Sequence, residues 1–172
     1  MNEKREMLRH FLAALAYRVQ KALRGMPEGF PEFRAGFEVR NPHGLICHMT
    51  NVLGYARTFF IGGSFPSRVP TDFDKDIAAF HEMLTDLSGH LERGTPLQGM
   101  TEERLLQGPF SDAMTHAGQL AMLRRLAGSP VPPENFVAAD ISVNNVGPDQ
   151  RGPVSPDADW PARPVGPESR SP

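Results

Sequence analysis

Apolar residues recur three and four positions apart along four stretches of the chain, a spacing that places them on one face of an α-helix. The first stretch begins near residue 3 and the last ends near residue 127. We find no stretch with the sustained alternation typical of a β-strand. The apolar positions of the first three stretches are Leu8, Phe11, Leu12, Leu15, Val19 and Leu23; Leu45, Met49, Val52, Ala56 and Phe59; and Ile77, Phe80, Leu84, Leu87 and Leu91.

Glycine, proline and capping residues mark the ends of these helices. Asn41 followed by Pro42 predicts a capped start for the second helix, and Gly128 predicts the end of the fourth. The predicted helices run over 3–25, from Asn41 to about Phe60, from Thr71 to Gly94, and over about 108–127. Four amphipathic helices of this length indicate an all-α protein, a four-helix bundle within residues 1–147.

The C-terminal part of the chain has a different composition. Residues 134–146 keep some apolar side chains, and we expect them to pack on the bundle. Residues 148–172 hold seven of the 17 prolines, which predicts a flexible Pro-rich tail, and Trp160 lies within it.

Charge and cysteine content exclude several classes of function. The net charge of -2 lacks the basic excess of proteins that bind nucleic acid by charge. A single cysteine excludes an internal disulfide. The N-terminus does not resemble a secretory signal, and no apolar run reaches the length of a membrane span. We therefore expect a cytoplasmic protein with no membrane or nucleic-acid partner.

The fourth helix contains the residues with the clearest chemical potential. Asp112 and His116 are four positions apart and continue toward Leu120 and Leu123, so both are expected on the core side of the helix. A buried carboxylate requires a partner. His48, at the edge of the second helix's apolar stripe, is the candidate third ligand of a divalent metal ion. The alternative is a structural hydrogen-bonded pair between Asp112 and His116, or an ordinary core histidine.

Two polar residues lie one helical turn beyond the candidate ligands. Asn51 follows His48, and Gln119 follows His116. Both are candidates for contact with a water or substrate beside the metal. A polar contact between helices explains them equally well. Two histidines and one carboxylate leave open positions on the ion, as a catalytic site requires.

Other polar residues are interpreted as structural. His43 stands at the start of the second helix, where it either lines the mouth of the site or has a surface or capping role. Cys47 is expected to be a small buried apolar residue. Asp72, Asp74 and Asp76 lack the glycine and glutamate of a calcium loop, so they are expected to cap the third helix and match its dipole.

The segment THAGQLAMLRRLAGSP resembles the last bundle helix of the DinB-like (DinB/YfiT) superfamily of metal-dependent hydrolases and thiol transferases. The segment HGLICHMTNVLGYARTFF is similar to the family's helix with the first metal histidine, which corresponds to His48. Asp112 stands where many members have a histidine, four residues before the second one. The positions of the last helix that fit the family pattern are His116, Gly118, Gln119, Leu120, Leu123, Arg124 and Gly128.

The resemblance implies an up-down-down-up bundle that binds Zn, Ni, Mn or Fe through His48, Asp112 and His116. It implies a hydrolase or a thiol transferase that acts on a small molecule, such as a low-molecular-weight thiol. It also implies a homodimer, for which the loop aromatics Phe30, Phe33 and Phe37 are candidate contacts. The alternative is a non-catalytic, stress-related bundle with a structural or vestigial metal site.

Overall fold

The computed structural model describes residues 2–157, and their regular structure is helical. The four long helices are α1 (Glu3–Leu23), α2 (Pro42–Ile61), α3 (Phe73–Glu92) and α5 (Ser111–Leu126). A short helix, α4 (Glu102–Leu105), precedes α5, and single 3₁₀ turns form at Phe30–Glu32 and Phe136–Ala138. Residues 2–157 contain no strand, only an isolated bridge between Glu134 and Pro156. The predicted all-helical architecture with four long helices is confirmed.

Side chains at the predicted positions cap the helices. The Asn41 side chain accepts a hydrogen bond from the Gly44 amide at 2.8 Å, and Pro42 follows it at the first helical position. The Asp72 side chain accepts from the Lys75 amide at 3.0 Å at the start of α3. These bonds satisfy amides that the first turn of a helix leaves without partners.

The four long helices enclose one apolar core, and each contacts two others. α1 contacts α3 and α5, and α2 contacts the same two helices. His43 in the first turn of α2 is bonded to Asp76 in the first turn of α3, and Phe60 stacks on His90 near the two C-terminal ends. α2 and α3 therefore run in the same direction. The largest fully buried side chains include Tyr17, Phe30, Phe80, Phe110, Met49 and Leu84.

The fourth predicted helix is broken where it was expected to begin. Residues Leu106–Phe110 form a π-helical segment, in which Gly108 departs from helical geometry with φ -94° and ψ -106°. Pro109 has no amide hydrogen to donate, which weakens the regular ladder at this point. The Ser111 hydroxyl donates to the Leu106 carbonyl at 2.6 Å and so satisfies one of the freed acceptors. The kink separates α4 from α5.

The loop aromatics differ from the expectation that all three are exposed. Phe30 is buried in the core and Phe33 packs against it, whereas Phe37 is fully exposed. The need to cover this loop is therefore smaller than the sequence suggested, and it no longer argues for a dimer.

The described part of the C-terminal region is attached to the bundle. The Val146 carbonyl accepts a hydrogen bond from His81 Nδ1 at 2.8 Å, and Glu134 is bonded to Tyr17 and Lys21. Arg24 donates to the carbonyls of Gln150 and Arg151, beyond the boundary predicted at residue 147. Residues 158–172, including Trp160, lie outside the described residues, so the flexible tail stays a prediction.

Candidate metal centre

Helices α2 and α5 bring His48, Asp112 and His116 together. His48 Nε2 lies 4.0 Å from Asp112 Oδ2, and His116 Nε2 lies 3.3 Å from Asp112 Oδ1. The two imidazole rings meet edge to face, with centroids 4.6 Å apart. One ligand atom from each residue lies within 4.8 Å of the others. The structure therefore gathers the three residues that the sequence singled out.

The donor set and its spacing suit a divalent transition-metal ion. Nitrogen and oxygen ligands bind zinc at about 2.0 to 2.2 Å, so two ligands of one ion lie at most about 4.4 Å apart. Both measured separations to Asp112 fall inside that limit. Two imidazoles and one carboxylate leave further positions for water or substrate.

Asp112 is more exposed than its place in the apolar stripe predicted. Its side chain keeps 49% of its accessible surface, whereas that of His116 keeps 10%. The expectation of a buried carboxylate is therefore wrong. A half-exposed carboxylate avoids most of the desolvation cost, so Asp112 does not need a metal to be tolerated.

His116 is held in the orientation that a ligand requires. Its Nδ1 donates a hydrogen bond to Gln119 Oε1 at 2.8 Å, which leaves the Nε2 lone pair directed toward Asp112. Metal-binding histidines usually donate their second ring nitrogen to such an acceptor. Gln119 therefore orients a candidate ligand, and it is absent from the cavity lining where it was expected to meet a substrate.

His48 is in a suitable protonation state for the same role. Partial burial, Arg40 and His116 lower the pKa of His48 by more than Asp112 raises it. The ring is therefore neutral at pH 7, with a lone pair available for a metal.

An open cavity of about 780 Å³ lies beside these residues. His48 and Asp112 form part of its wall, and the π-helical segment contributes Gln107, Gly108 and Pro109. The described lining contains neither lysine nor arginine. Its uncharged polar residues are Asn51, Tyr55, Ser67, Gln107, Ser111 and Thr115.

Asn51 lines the cavity, but both ends of its amide are already used. Its Nδ2 donates to the Arg68 carbonyl at 3.0 Å, and its Oδ1 accepts from the Arg68 amide at 2.8 Å. Asn51 therefore holds the connection between α2 and α3 against the cavity rim. This contact is structural, but it joins α2 to the loop that follows it and not to another helix, as the alternative had it.

A second group of polar residues was missed by the sequence analysis. His43 and Cys47 of α2 and Asp76 of α3 are all buried, and their ligand atoms also lie within 4.8 Å of one another. His43 is therefore neither at the surface nor at the mouth of the cavity. Burial and Asp76 raise the pKa of the Cys47 thiol to about 11.

Asp76 lies in the first turn of α3, as expected for a helix-dipole residue, but its carboxylate is buried. Burial alone would raise its pKa, but hydrogen bonds from Thr71, His43, Arg68 and Cys47 outweigh that effect and lower it. A sequence signal was present: Asp76 stands four residues before Phe80 and so extends the apolar seam of α3.

No protein-family model, curated protein or solved structure matches this chain. Among residues 2–157, no helix has the length and apolar character needed to cross a membrane.

Proposed function

We propose that His48, Asp112 and His116 bind a divalent metal ion and that the protein is a metal-dependent enzyme acting on a small molecule. One observation carries the proposal: the three ligand atoms meet beside an open cavity whose wall includes His48 and Asp112. A catalytic metal needs such an opening, whereas a purely structural metal is normally enclosed by its ligands.

The resemblance of α2 and α5 to the DinB-like superfamily supports the same conclusion. The parallel course of α2 and α3 agrees with the up-down-down-up order that the resemblance implies. Asp112 in place of a histidine retains a metal ligand, but a carboxylate shifts the preference toward harder ions such as Mn or Fe.

The chain's own residues would share the work at this centre. His48, Asp112 and His116 would hold the ion, and Gln119 fixes the ring of His116. A bound divalent ion supplies a Lewis acid that lowers the pKa of a water or thiol in its open position. The hydroxyls of Ser111 and Thr115 lie along the cavity, where they offer hydrogen bonds to a substrate.

The cavity lining favours an uncharged or weakly polar substrate. Its described lining has no cation to neutralise a phosphate or carboxylate. Hydrolysis of a small molecule and transfer of a low-molecular-weight thiol are both compatible with this lining.

We also propose that the protein is cytoplasmic and that it forms a homodimer. Sedimentation velocity tests the homodimer.

The experiment that tests the centre is metal analysis of protein purified without immobilised-metal chromatography. We expect His116→Ala to lose one equivalent of Zn, Ni, Mn or Fe relative to the wild type. His10→Ala is the matched control, because His10 is exposed on α1, away from the cavity. Equal metal content in the wild type and in His116→Ala would refute the metal centre.

The non-catalytic alternative rests on a specific contact. Asp112 lies 4.0 Å from His48 Nε2 and 3.3 Å from His116 Nε2, so the triad can also form a polar clasp, a set of polar contacts that joins α2 to α5. In that case metal analysis finds no equivalent that depends on His116.

A further inference from the structure

The polar group His43, Cys47 and Asp76 lies on the side of α2 that faces α3, away from the open cavity. His43 and Cys47 are four residues apart on α2, and Asp76 reaches them from the first turn of α3. Their residues are 7%, 2% and 1% exposed, respectively. Three ionisable side chains of different chemistry are therefore enclosed in one place, which is costly unless they share a partner.

The ligand atoms of the three residues converge on a common point. His43 Nε2 lies 2.8 Å from Asp76 Oδ2, and the Cys47 thiol is hydrogen-bonded to the same carboxylate. All three ligand atoms lie within 4.8 Å of one another.

Surrounding residues orient the imidazole ring of His43 and the carboxylate of Asp76. Glu32 Oε1 lies 3.4 Å from His43 Nδ1, on the side of the ring away from Asp76. Arg68 Nη2 donates to Asp76 Oδ1 at 3.0 Å, and the Thr71 amide donates to Oδ2 at the same distance. A carboxylate behind a ligating histidine and donors on a ligating carboxylate are the outer contacts typical of metal sites.

We propose that His43 Nε2, Cys47 Sγ and Asp76 Oδ2 form a second, closed metal site that takes zinc or a similar thiophilic divalent ion. Nitrogen, sulfur and oxygen ligands in one buried group suit zinc, and enclosure by protein is typical of structural sites. The chemistry differs from that of the open centre, which has no sulfur ligand.

When a divalent ion binds at this site, the charges and the protons of its ligands can be accounted for. The thiol proton leaves to solvent. The imidazole gives up the Nε2 proton that Asp76 now accepts and carries its proton on Nδ1, where Glu32 accepts it. The ion's two positive charges then face one thiolate and one carboxylate. Arg68 keeps its bond to the other oxygen of Asp76.

A metal ion at this site would stabilise the fold. It would join the first turns of α2 and α3 and, through Arg68 and Thr71, the end of the connection between them. The open centre on the opposite side of α2 would be positioned by the same helix.

Cobalt(II) titration of the metal-free protein tests the site, since a thiolate ligand gives a charge-transfer band in the near ultraviolet. Cys47 is the single cysteine of the chain, so it is the only thiolate that can produce the band. We expect the band to be complete within two equivalents in the wild type and at one equivalent in His116→Ala, and to be lost in Asp76→Asn and His43→Gln. Far-ultraviolet circular dichroism checks that each variant is folded.

Three outcomes would overturn the proposal. A folded wild type that shows no band has no thiolate–metal bond. A band that persists in both Asp76→Asn and His43→Gln shows that Cys47 binds cobalt with other ligands. A band lost in His116→Ala assigns the sulfur to the open centre. The first result leaves the metal analysis of the open centre unaffected, so the two proposals fail separately.

Discussion

At the scale of single residues, Arg124 shows how one buried charge joins two helices. Although it is an arginine, the residue is only 4% exposed. Its guanidinium donates to the carbonyls of Ala22, Arg24 and Gly25 at the end of α1, and to Ser129 beyond α5. Those carbonyls belong to a helix end, where the backbone leaves acceptors unpaired.

Arg124→Met should therefore destabilise the fold while keeping the apolar stem of the side chain. We expect a loss of roughly 1 to 3 kcal/mol in the free energy of unfolding, because several buried acceptors lose their donor. Urea denaturation measures the change. Arg125→Met is the matched control, since Arg125 is exposed on the same helix. Equal urea midpoints for the two variants would show that the guanidinium bonds contribute nothing.

At the scale of elements, several contacts hold the connection between α2 and α3 against the bundle. The ring of Phe65 lies directly against Gly54, where a Cβ atom would come within 2.4 Å of it. Asn51 bonds both backbone groups of Arg68, and the Arg68 side chain reaches Asp76. This connection forms part of the cavity rim through Ser67, so its order bears on the candidate centre.

Asn51→Ala should loosen the connection without unfolding the bundle. The amide of Arg68 loses its acceptor, so its hydrogen exchange should become faster, while amides inside α1 keep their protection. Hydrogen exchange measured residue by residue by NMR gives the answer. Unchanged protection at Arg68 would mean that Phe65 and Asp76 alone hold the connection in place.

The C-terminal segment depends on a buried, neutral histidine. His81 Nδ1 donates to the Val146 carbonyl, and His81 Nε2 accepts from the Gln20 amide at 2.8 Å. Burial lowers the pKa of His81 by more than the bond to Val146 raises it. Protonation would place a hydrogen on Nε2 opposite the donating amide of Gln20, which must then rotate.

The sign of the resulting pH dependence follows from linkage. Because the pKa of folded His81 lies below the unfolded value of about 6.5, the unfolded state takes up the proton first as pH falls. Stability should therefore decline below pH 6.5, by at most about 1.4 kcal/mol per pH unit for this group. His48 and His90 contribute with the same sign.

His81→Gln removes the titration of this one group. We expect its urea midpoint to fall less between pH 7.5 and pH 5.5 than that of the wild type. His10→Gln serves as the control for an exposed histidine. A parallel decline in the wild type and His81→Gln would show that His81 does not titrate in this range.

The helices could be predicted from the sequence because their signals are local. Each signal acts within one or two helical turns: the apolar spacing, the cap Asn41 followed by Pro42, and the cap Asp72. Asp76 and Arg124 also depend on distant partners, His43 at 33 residues and Ala22 at 102, and spacing along one helix cannot reveal such partners. The three candidate ligands were chosen because Asp112 and His116 head the apolar stripe of α5 and His48 lies at the edge of that of α2, whereas the kink before Asp112 was not foreseen.

At the scale of the whole molecule, α2 is the element that both candidate sites share. His48 faces α5 and the open cavity, while His43 and Cys47 face α3. Neighbouring positions on a helix point about 100° apart, so Cys47 and His48 serve different sides of the bundle. Metal binding at either site should therefore stabilise the whole fold by mass action.

The open centre can be measured by itself in a Cys47→Ser background, which removes the sulfur ligand. Zn in about hundredfold excess over its dissociation constant should stabilise that protein by roughly 2.7 kcal/mol, seen as a higher melting temperature. Adding Asp112→Asn should abolish most of this gain. In the presence of a chelator the same change should cost little, because Asp112 is half exposed and such pairs contribute roughly 0 to 1 kcal/mol.

Ser111→Ala is the matched control, since it changes a cavity residue next to Asp112 that is not a ligand. If Zn raises the melting temperature equally with and without Asp112→Asn, Asp112 is not a ligand. If Zn raises neither, the triad is a polar clasp between α2 and α5, and the proposed enzyme loses its centre.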